Sequence, residues 1–393
     1  MTEQQEKGTA VANNTPAATK PVSSEEPPIK KGLIATLWPI EKFERKKIFP
    51  LILMIFLMTF NYTLLRDLKD VLVMNATGGP TTILYLKLFF VLPGAVIFML
   101  VVNKMSVTIS KQATFYSIMA FFLITIGLMP ILYGFRNELQ PRPWRTDRFL
   151  YEHPGVNQGF KGLFLALNNW VSTLLYVISE LWGTVVLSFL FWGFTNDICT
   201  VSEAKRFYTA IILFCNFSLL GVGILLVSLS VGLERSKTTE AKNESPMTVA
   251  FLLYSVVLLG CIIVYTYHWV HKNVLTDPRL YDPALIKPKK KKAKLGMMAS
   301  LKIVFTSSYI GLLAILVVAY GMAINFVEIF YKKAYQRFVT DLGMKPYMLA
   351  WVGVQSFLTG LAAICFLMFI GSRAVRMYGW SVTALITPTS TPK

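Results

Sequence analysis

The sequence predicts an all-α polytopic membrane protein, and three observations carry that prediction. Of 393 residues, 54% are hydrophobic. Charged residues make up 15%, against roughly 25% in soluble domains. The apolar residues gather in continuous runs of about 20, the length of helix that crosses a hydrocarbon core, without the period-two alternation of a membrane β-barrel strand.

Taken in order, residues 1–45 open with "MTEQQEKGTAVANNTPAATKPVSSEEPPIKKG", which has almost no aliphatic residue before Ile29. A disordered cytoplasmic tail is expected there. It lacks the apolar centre of a signal peptide, and its glutamates argue against a transit peptide. Hydropathy places spans at 48–68, 82–103, 113–135, 164–196, 206–231, 247–271, 303–332 and 346–371. The first six form an N-terminal bundle over 46–272; residues 273–300 form a basic cytoplasmic loop, and 301–393 a partial C-terminal bundle. A further span begins at "YGWSVTALITP", but after Pro388 only "TSTPK" remains, too little to cross about 30 Å of hydrocarbon. The sequence thus predicts two helices and a truncated third after the loop.

The formal net charge of +18 would suggest nucleic acid in a soluble protein. Here Lys and Arg lie mostly between the apolar runs, so positive-inside topology accounts for them and no nucleic-acid partner is implied. The loop "TDPRLYDPALIKPKKKKAKLG" carries Lys287, Lys289, Lys290, Lys291, Lys292 and Lys294 and belongs on the cytoplasmic side. An even number of crossings puts "EKFERKK" on that side too, against a weaker contrary signal from Arg136, Arg142, Arg145 and Arg148. Cys199, Cys215, Cys261 and Cys365 have neither zinc-ligand nor disulfide-framework spacing and read as reduced packing residues. Six spans, a basic loop and further spans match the plan of transporters built from two six-helix halves, although no residue-by-residue repeat joins the halves.

Each ionisable residue at a helix centre costs about 2.5 to 3.5 kcal/mol on insertion scales, so intramembrane charges are expected to face the bundle interior. In span four, Asn169, Thr173, Tyr176, Glu180, Thr184 and Ser188 recur at helical spacing, with Glu180 near the middle. Span seven repeats the pattern with Gly321, Asn325, Glu328 and Lys332, where Glu328 also reads as a simple i, i+4 partner of Lys332. Span one ends in "NYTLLRDLKD": Tyr62, Arg66 and Lys69 share one face, and Asp67 and Asp70 the next. Lys87 in span two, taken alone, reads as a snorkelling anchor. Spans one, four and seven are those that surround the central pathway in the two-half plan.

Arg66, Lys69, Lys87 and Lys332 suit a phosphorylated anion, while Asp67, Asp70, Glu180 and Glu328 would pair or gate those cations in the empty site. Asn61, Tyr62, Asn169, Tyr176 and Asn325 are candidates to contact a base or ribose. No G-x-x-x-x-G-K-[ST] loop is present, so a nucleotide is cargo rather than fuel, and neither an enzymatic activity nor a cofactor is implied. His268 and His271 form an i, i+3 pair without a third metal ligand nearby. Asn61-Tyr-Thr and Asn75-Ala-Thr match glycosylation acceptors only formally, because both adjoin spans.

Three segments carry a family likeness: "WPIEKFERKKIFPLILMIFLMTFNYTLLRDLKDVLV", "SELWGTVVLSFLFWGFTNDICTVSEAKRFY" and "VVAYGMAINFVEIFYK". They resemble the ATP/ADP translocases of obligate intracellular bacteria and plant plastids, over residues 38 to 388. The resemblance implies a bundle like that of the twelve-helix major facilitator type. It implies a multi-pass protein of a bacterial cytoplasmic membrane, importing host ATP in exchange for ADP by alternating access. Some relatives take up nucleotides with protons, so a proton-coupled symporter is the first alternative, and a truncated, non-transporting nucleotide-binding membrane protein the second. The family's important charges map onto Lys87 of "YLKLF", Glu180 of "ELWG" and Glu328 of the "NxVE" segment. A further lysine of its C-terminal spans has no counterpart here.

Overall fold

The computed structural model describes residues 40, 43–76, 79–140, 148–149, 151–235, 245–281, 305–343 and 347–371. The expected disordered tail up to residue 39, most of the basic loop, Arg142, Arg145 and the start of a ninth span lie outside the described residues. Among the described residues, eight helices are long and apolar enough to cross a membrane. They are α1 (Arg45–Asn75), α2 (Pro80–Thr108), α3 (Lys111–Gly134), α4 (Trp170–Ile198), α5 (Val201–Arg235), α6 (Pro246–Asn273), α7 (Ser308–Asp341) and α8 (Met348–Met368). The expected all-α polytopic fold is thereby met. We call the end that carries Arg45, Lys111 and Asn273 the inner end, following the charge asymmetry of the loops, and the opposite one the outer end.

Local sequence sets where these helices start. Gly79 adopts φ +53° between α1 and α2, a conformation that favours glycine, and Pro80 then occupies the first turn of α2. Ser110 caps α3 by accepting from the Ala113 N–H at 3.2 Å, and Ser245 caps α6 from Thr248 N–H at 3.2 Å. Thr200 and Glu203 form a reciprocal capping box before α5: Thr200 Oγ1 accepts from Glu203 N–H at 3.3 Å, and Glu203 Oε2 from Thr200 N–H at 2.8 Å.

α1 is the central helix. Two-thirds (67%) of its most apolar window is buried, against 11% for α2 and 0% for α7, and it packs on α4, α5, α6 and α8. Its inner end is tied into the first six helices by buried charges. Lys47 pairs with Glu203 at 2.9 Å and donates to the Leu280 carbonyl at 3.0 Å, while Arg206 reaches Glu44 Oε1 at 2.5 Å. Burial also pushes the neighbouring Cys199 thiol up to about 12, which leaves it unreactive as a nucleophile. Of the other cysteines, Cys215 is half-buried and Cys261 and Cys365 are exposed, so only Cys199 is a fully buried packing residue.

α1 and α7 run further outward than expected, to Asn75 and Asp341, and one predicted span is broken. The fourth run, expected over 164–196, breaks at Asn169 (φ −97°, ψ 44°) into a short helix, Pro154–Asn168, and α4. The short helix lies against the start of α2: the Tyr85 hydroxyl donates to the Gly159 carbonyl at 2.6 Å. Glu180 therefore lies about three turns from the outer end of α4, one turn short of the helix midpoint. The stripe is not purely α-helical either, because Gly183–Phe191 of α4 and Leu86–Val91 of α2 are π-helical.

α8 meets α5 backbone to backbone. A Cβ on Gly223 would fall 2.6 Å from the Gly353 carbonyl and 2.7 Å from Phe357 Cβ; one on Gly360 would fall 2.9 Å from Leu219 Cβ. Small residues are what let membrane helices come this close. Gly223→Val is expected to force α5 from α8 at a cost of about 1 to 3 kcal/mol, read as a lower thermal unfolding midpoint of the detergent-purified chain. An unchanged midpoint would show that this contact is not packed as described.

Candidate functional site

The outer third of α1 organises the site, and neighbouring residues there go to different partners. Lys69 is sealed at 1% exposure; its ammonium lies 2.8 Å from Asp70 Oδ1, 3.1 Å from Glu180 Oε1 and 3.9 Å from the centre of the Tyr176 ring. Trp182, donating to the Met58 carbonyl at 3.2 Å, locks α4 onto α1 at the height that brings Glu180 to Lys69. Asp70 uses its second oxygen to bind Lys332 Nζ of α7 at 2.7 Å. Lys332 also reaches Glu328 Oε1 at 2.5 Å, and the other oxygen of Glu328 takes Lys87 Nζ of α2 at 2.5 Å. Asn325, its amide nitrogen donating to the Gly321 carbonyl at 2.8 Å, presents its oxygen to Lys87, also at 2.8 Å.

These contacts make one ladder of alternating charge, Glu180, Lys69, Asp70, Lys332, Glu328 and Lys87, drawn from α4, α1, α7 and α2. Its centre is buried and its ends are partly exposed: Glu180, Glu328 and Lys87 keep 23%, 28% and 20% of their side-chain surface. Each charge has an opposite neighbour, the condition under which ions survive in a low-dielectric interior, and removing one partner of such a pair costs about 3 to 5 kcal/mol. Lys87 is no lone snorkelling anchor here. The i, i+4 pairing of Glu328 with Lys332 is present, as one rung of the ladder.

Arg66 and Asp67 form a second cluster. Arg66 Nη2 lies 3.1 Å from Asp67 Oδ1 and donates to Ser356 Oγ of α8 at 3.3 Å, while Ser356 donates to Asp67 Oδ2 at 2.5 Å. Tyr62, one turn below Arg66, stands against the backbone of Gly183, where a Cβ would meet its ring at 2.4 Å. Lys87 lies inside one π-helical segment, and Gly183, one turn after Glu180, opens the other. Such segments are frequent at functional sites.

Not every expected residue joins this constellation. Asn61 is wholly buried on the far face of α1, where it donates to the Val256 carbonyl of α6 at 3.0 Å. Asn169 donates to the Leu165 carbonyl at 3.2 Å and lines a small cavity with Thr82 and Thr173, away from the lysines. The Tyr176 hydroxyl is buried without a hydrogen-bond partner among the described residues; its ring, not its oxygen, meets Lys69. His268 faces the Tyr116 hydroxyl at 3.2 Å and His271 stacks on Phe194, at the inner end of the bundle. Sequence reasoning missed Ser356, which lies beside Gln355 in the eighth apolar run. It also missed Gln336 of α7, which donates to the Met74 carbonyl at 2.6 Å and rests on Gly79.

The sequence model of the TLC ATP/ADP transporter family matches residues 23–391. The chain is similar to ADP,ATP carrier protein 1 of Chlamydia muridarum, at 40% identity over 90% of this chain and 65% of that protein. It is similar to ADP,ATP carrier protein 1 of Rickettsia prowazekii, at 38% identity over 90% of this chain and 68% of that protein. It is also similar to the chloroplastic ADP,ATP carrier protein 1 of Arabidopsis thaliana, at 37% identity over 90% of this chain and 54% of that protein. The chain thus spans about two-thirds of the length of these bacterial relatives. No solved structure matches it. With eight helices long and apolar enough to span a membrane among its described residues and a match running over nearly its whole length, the chain belongs to the TLC ATP/ADP transporter family.

Proposed function

We propose that this chain carries ATP inward in exchange for ADP by alternating access, in a bacterial cytoplasmic membrane, with the two-half plan of the major facilitator type. The observation that carries the reading is the convergence of Lys69, Lys87 and Lys332 from three helices on two bridging carboxylates, Asp70 and Glu328. A carboxylate oxygen and a phosphate oxygen make the same charge-assisted bond to an ammonium. A polyphosphate can therefore take over the lysines by exchanging partners, each ammonium keeping an anionic oxygen beside it throughout. Arg66, with 36% of its side chain exposed, offers a planar fork beside the ladder. The bacterial relatives, named as ADP,ATP carriers, agree with this cargo.

The ladder also supplies a coupling device. Lys87–Glu328 and Asp70–Lys332 join α7 to α2 and α1. Ser356 joins α8 to α1, and Gln336 holds the turn after α1. All of these ties lie near the outer helix ends, so this conformation is closed on the outer side. Phosphate binding at Lys87 or Lys332 loosens the same bonds that keep it closed. Exchange of ATP⁴⁻ for ADP³⁻ alone moves one net charge, worth about 2.3 kcal/mol per 100 mV.

Uptake of labelled ATP into vesicles containing the full chain is expected to rise when the lumen is loaded with ADP. Uptake indifferent to internal ADP would end the exchange reading, and stimulation by an imposed proton gradient instead would establish the symporter. Lys87→Gln and Glu328→Gln are each expected to lower exchange at least tenfold and to lower the unfolding midpoint, since the first leaves Glu328 with Lys332 alone and the second leaves Lys87 without a carboxylate. In the double variant the midpoint recovers towards wild type because the mutual penalty is gone, while exchange stays low because the lysine is needed by the substrate. Recovery of exchange together with stability would make the pair structural only.

A further inference from the structure

Ser356 lies on α8 between Gly353 and Gly360, at i+3 and i+7 of the same helix face. The two glycines seat α8 against the backbone of α5: a Cβ on Gly353 would fall 2.9 Å from Leu226 Cβ and one on Gly360 3.1 Å from the Asn216 carbonyl. With both flanks fixed, the hydroxyl has little room to leave α1. Ser356 is 1% exposed and Asp67 3%, so neither has water as an alternative partner. A serine hydroxyl has one donor and two acceptor sites. Here the donor goes to Asp67 Oδ2 at 2.5 Å and an acceptor site receives Arg66 Nη2 at 3.3 Å.

Arg66 and Asp67 are consecutive on a helix, and consecutive residues do not face each other. The guanidinium reaches round the helix to Asp67 Oδ1 through Nε at 3.2 Å and Nη2 at 3.1 Å, and Ser356 closes the ring from the other side. This arrangement leaves Nη1 directed away from both partners. We propose that Ser356 is a positioning residue of the anion site: it holds Arg66 and Asp67 in a ring across the α1–α8 boundary and keeps the Nη1 edge of Arg66 presented to a phosphate. The inference rests on the reading of the chain as a nucleotide carrier. When a phosphate draws Arg66 away from Asp67, the Ser356 bond still neutralises part of the buried carboxylate, which lowers the cost of the exchange. Without the hydroxyl, Asp67 has Arg66 alone and holds it more tightly. α8 also gains a direct link to the occupancy of Arg66, because the same hydroxyl touches both members of the pair.

The test is ATP binding to the full, detergent-purified chain by isothermal titration, with ligand-free thermal unfolding measured in parallel. Ser356→Ala is expected to weaken ATP about tenfold, the scale of losing one hydrogen bond to a charged group. Ser356→Thr, which keeps the hydroxyl, is expected to bind within about twofold of wild type, with both midpoints within a few degrees of it. A residue that merely packed would move the midpoint and not the affinity. If the alanine variant does not fold, Ser356→Cys, with a weaker donor, is expected to bind between wild type and tenfold weaker. An unchanged affinity in Ser356→Ala, or a threonine variant as weak as the alanine one, overturns the role of Ser356 and leaves the carrier reading standing. A wild-type chain that binds no ATP overturns both.

Discussion

Charges buried among apolar helices must be paired, and that condition fixes more of this structure than any other. The ladder from Glu180 to Lys87 places each ammonium next to a carboxylate at 2.5 to 3.1 Å, and in doing so dictates how α4, α1, α7 and α2 are rotated about their own axes. Apolar packing alone leaves helix rotation poorly determined in a bilayer, because lipid tails are as apolar as leucine. Rotating α7 by one residue would strand Lys332 and Glu328 together. The ladder thus acts as a register pin for the bundle as well as a candidate anion site.

The rest of the architecture serves that pin. Trp182 sets the height of α4 against α1, and Asn61 ties α1 to α6. The break at Asn169 shortens α4 so that Glu180 and Lys69 fall at the same depth near the outer end. The π-helical turns at Leu86–Val91 and Gly183–Phe191 widen α2 and α4 at this level, and the glycine that opens the second one admits the Tyr62 ring. A side chain at position 183 would push α4 away from α1 and lengthen the Lys69–Glu180 bond.

Much of this was legible in the sequence, for a definite reason. Helical period exposes which polar residues share a face, so Glu180, Glu328 and the charges of "NYTLLRDLKD" could be assigned to the interior, although Thr184, Ser188 and Asn325 of the same stripes are exposed. Period does not say which neighbour a long side chain chooses. Lys69 turns to Asp70 and Glu180, while Arg66 wraps round to Asp67, and both outcomes depend on what α4 and α8 bring alongside. Asn61 adjoins Tyr62 in sequence, but one residue is about 100° of helix, enough to face α6 instead. The break at Asn169 carries no proline or glycine, and nothing in the local spacing announces a π-helical turn. Ser356 adjoins Gln355 and Gln336 adjoins Arg337, so nothing in the local sequence singles either out, and only the tertiary fold gives them partners.

The two ends of α1 use charge in opposite ways. At the inner end Lys47, Glu44, Glu203 and Arg206 bind α1 to α5 and to the segment after α6, all within the first six helices. At the outer end every described tie from Arg66, Asp67, Lys87 and Met74 to the later helices crosses to α7 or α8. The inner charges therefore stiffen one body; of the outer ones, Lys69–Glu180 does the same, whereas Lys87–Glu328 and Asp70–Lys332 join two. In the exchange proposed above, a polyanion that takes Lys87 or Lys332 acts on the joining contacts. Under that proposal, binding energy is directed at the relative position of the two groups of helices, which is what alternating access requires if occupancy is to change which side is open.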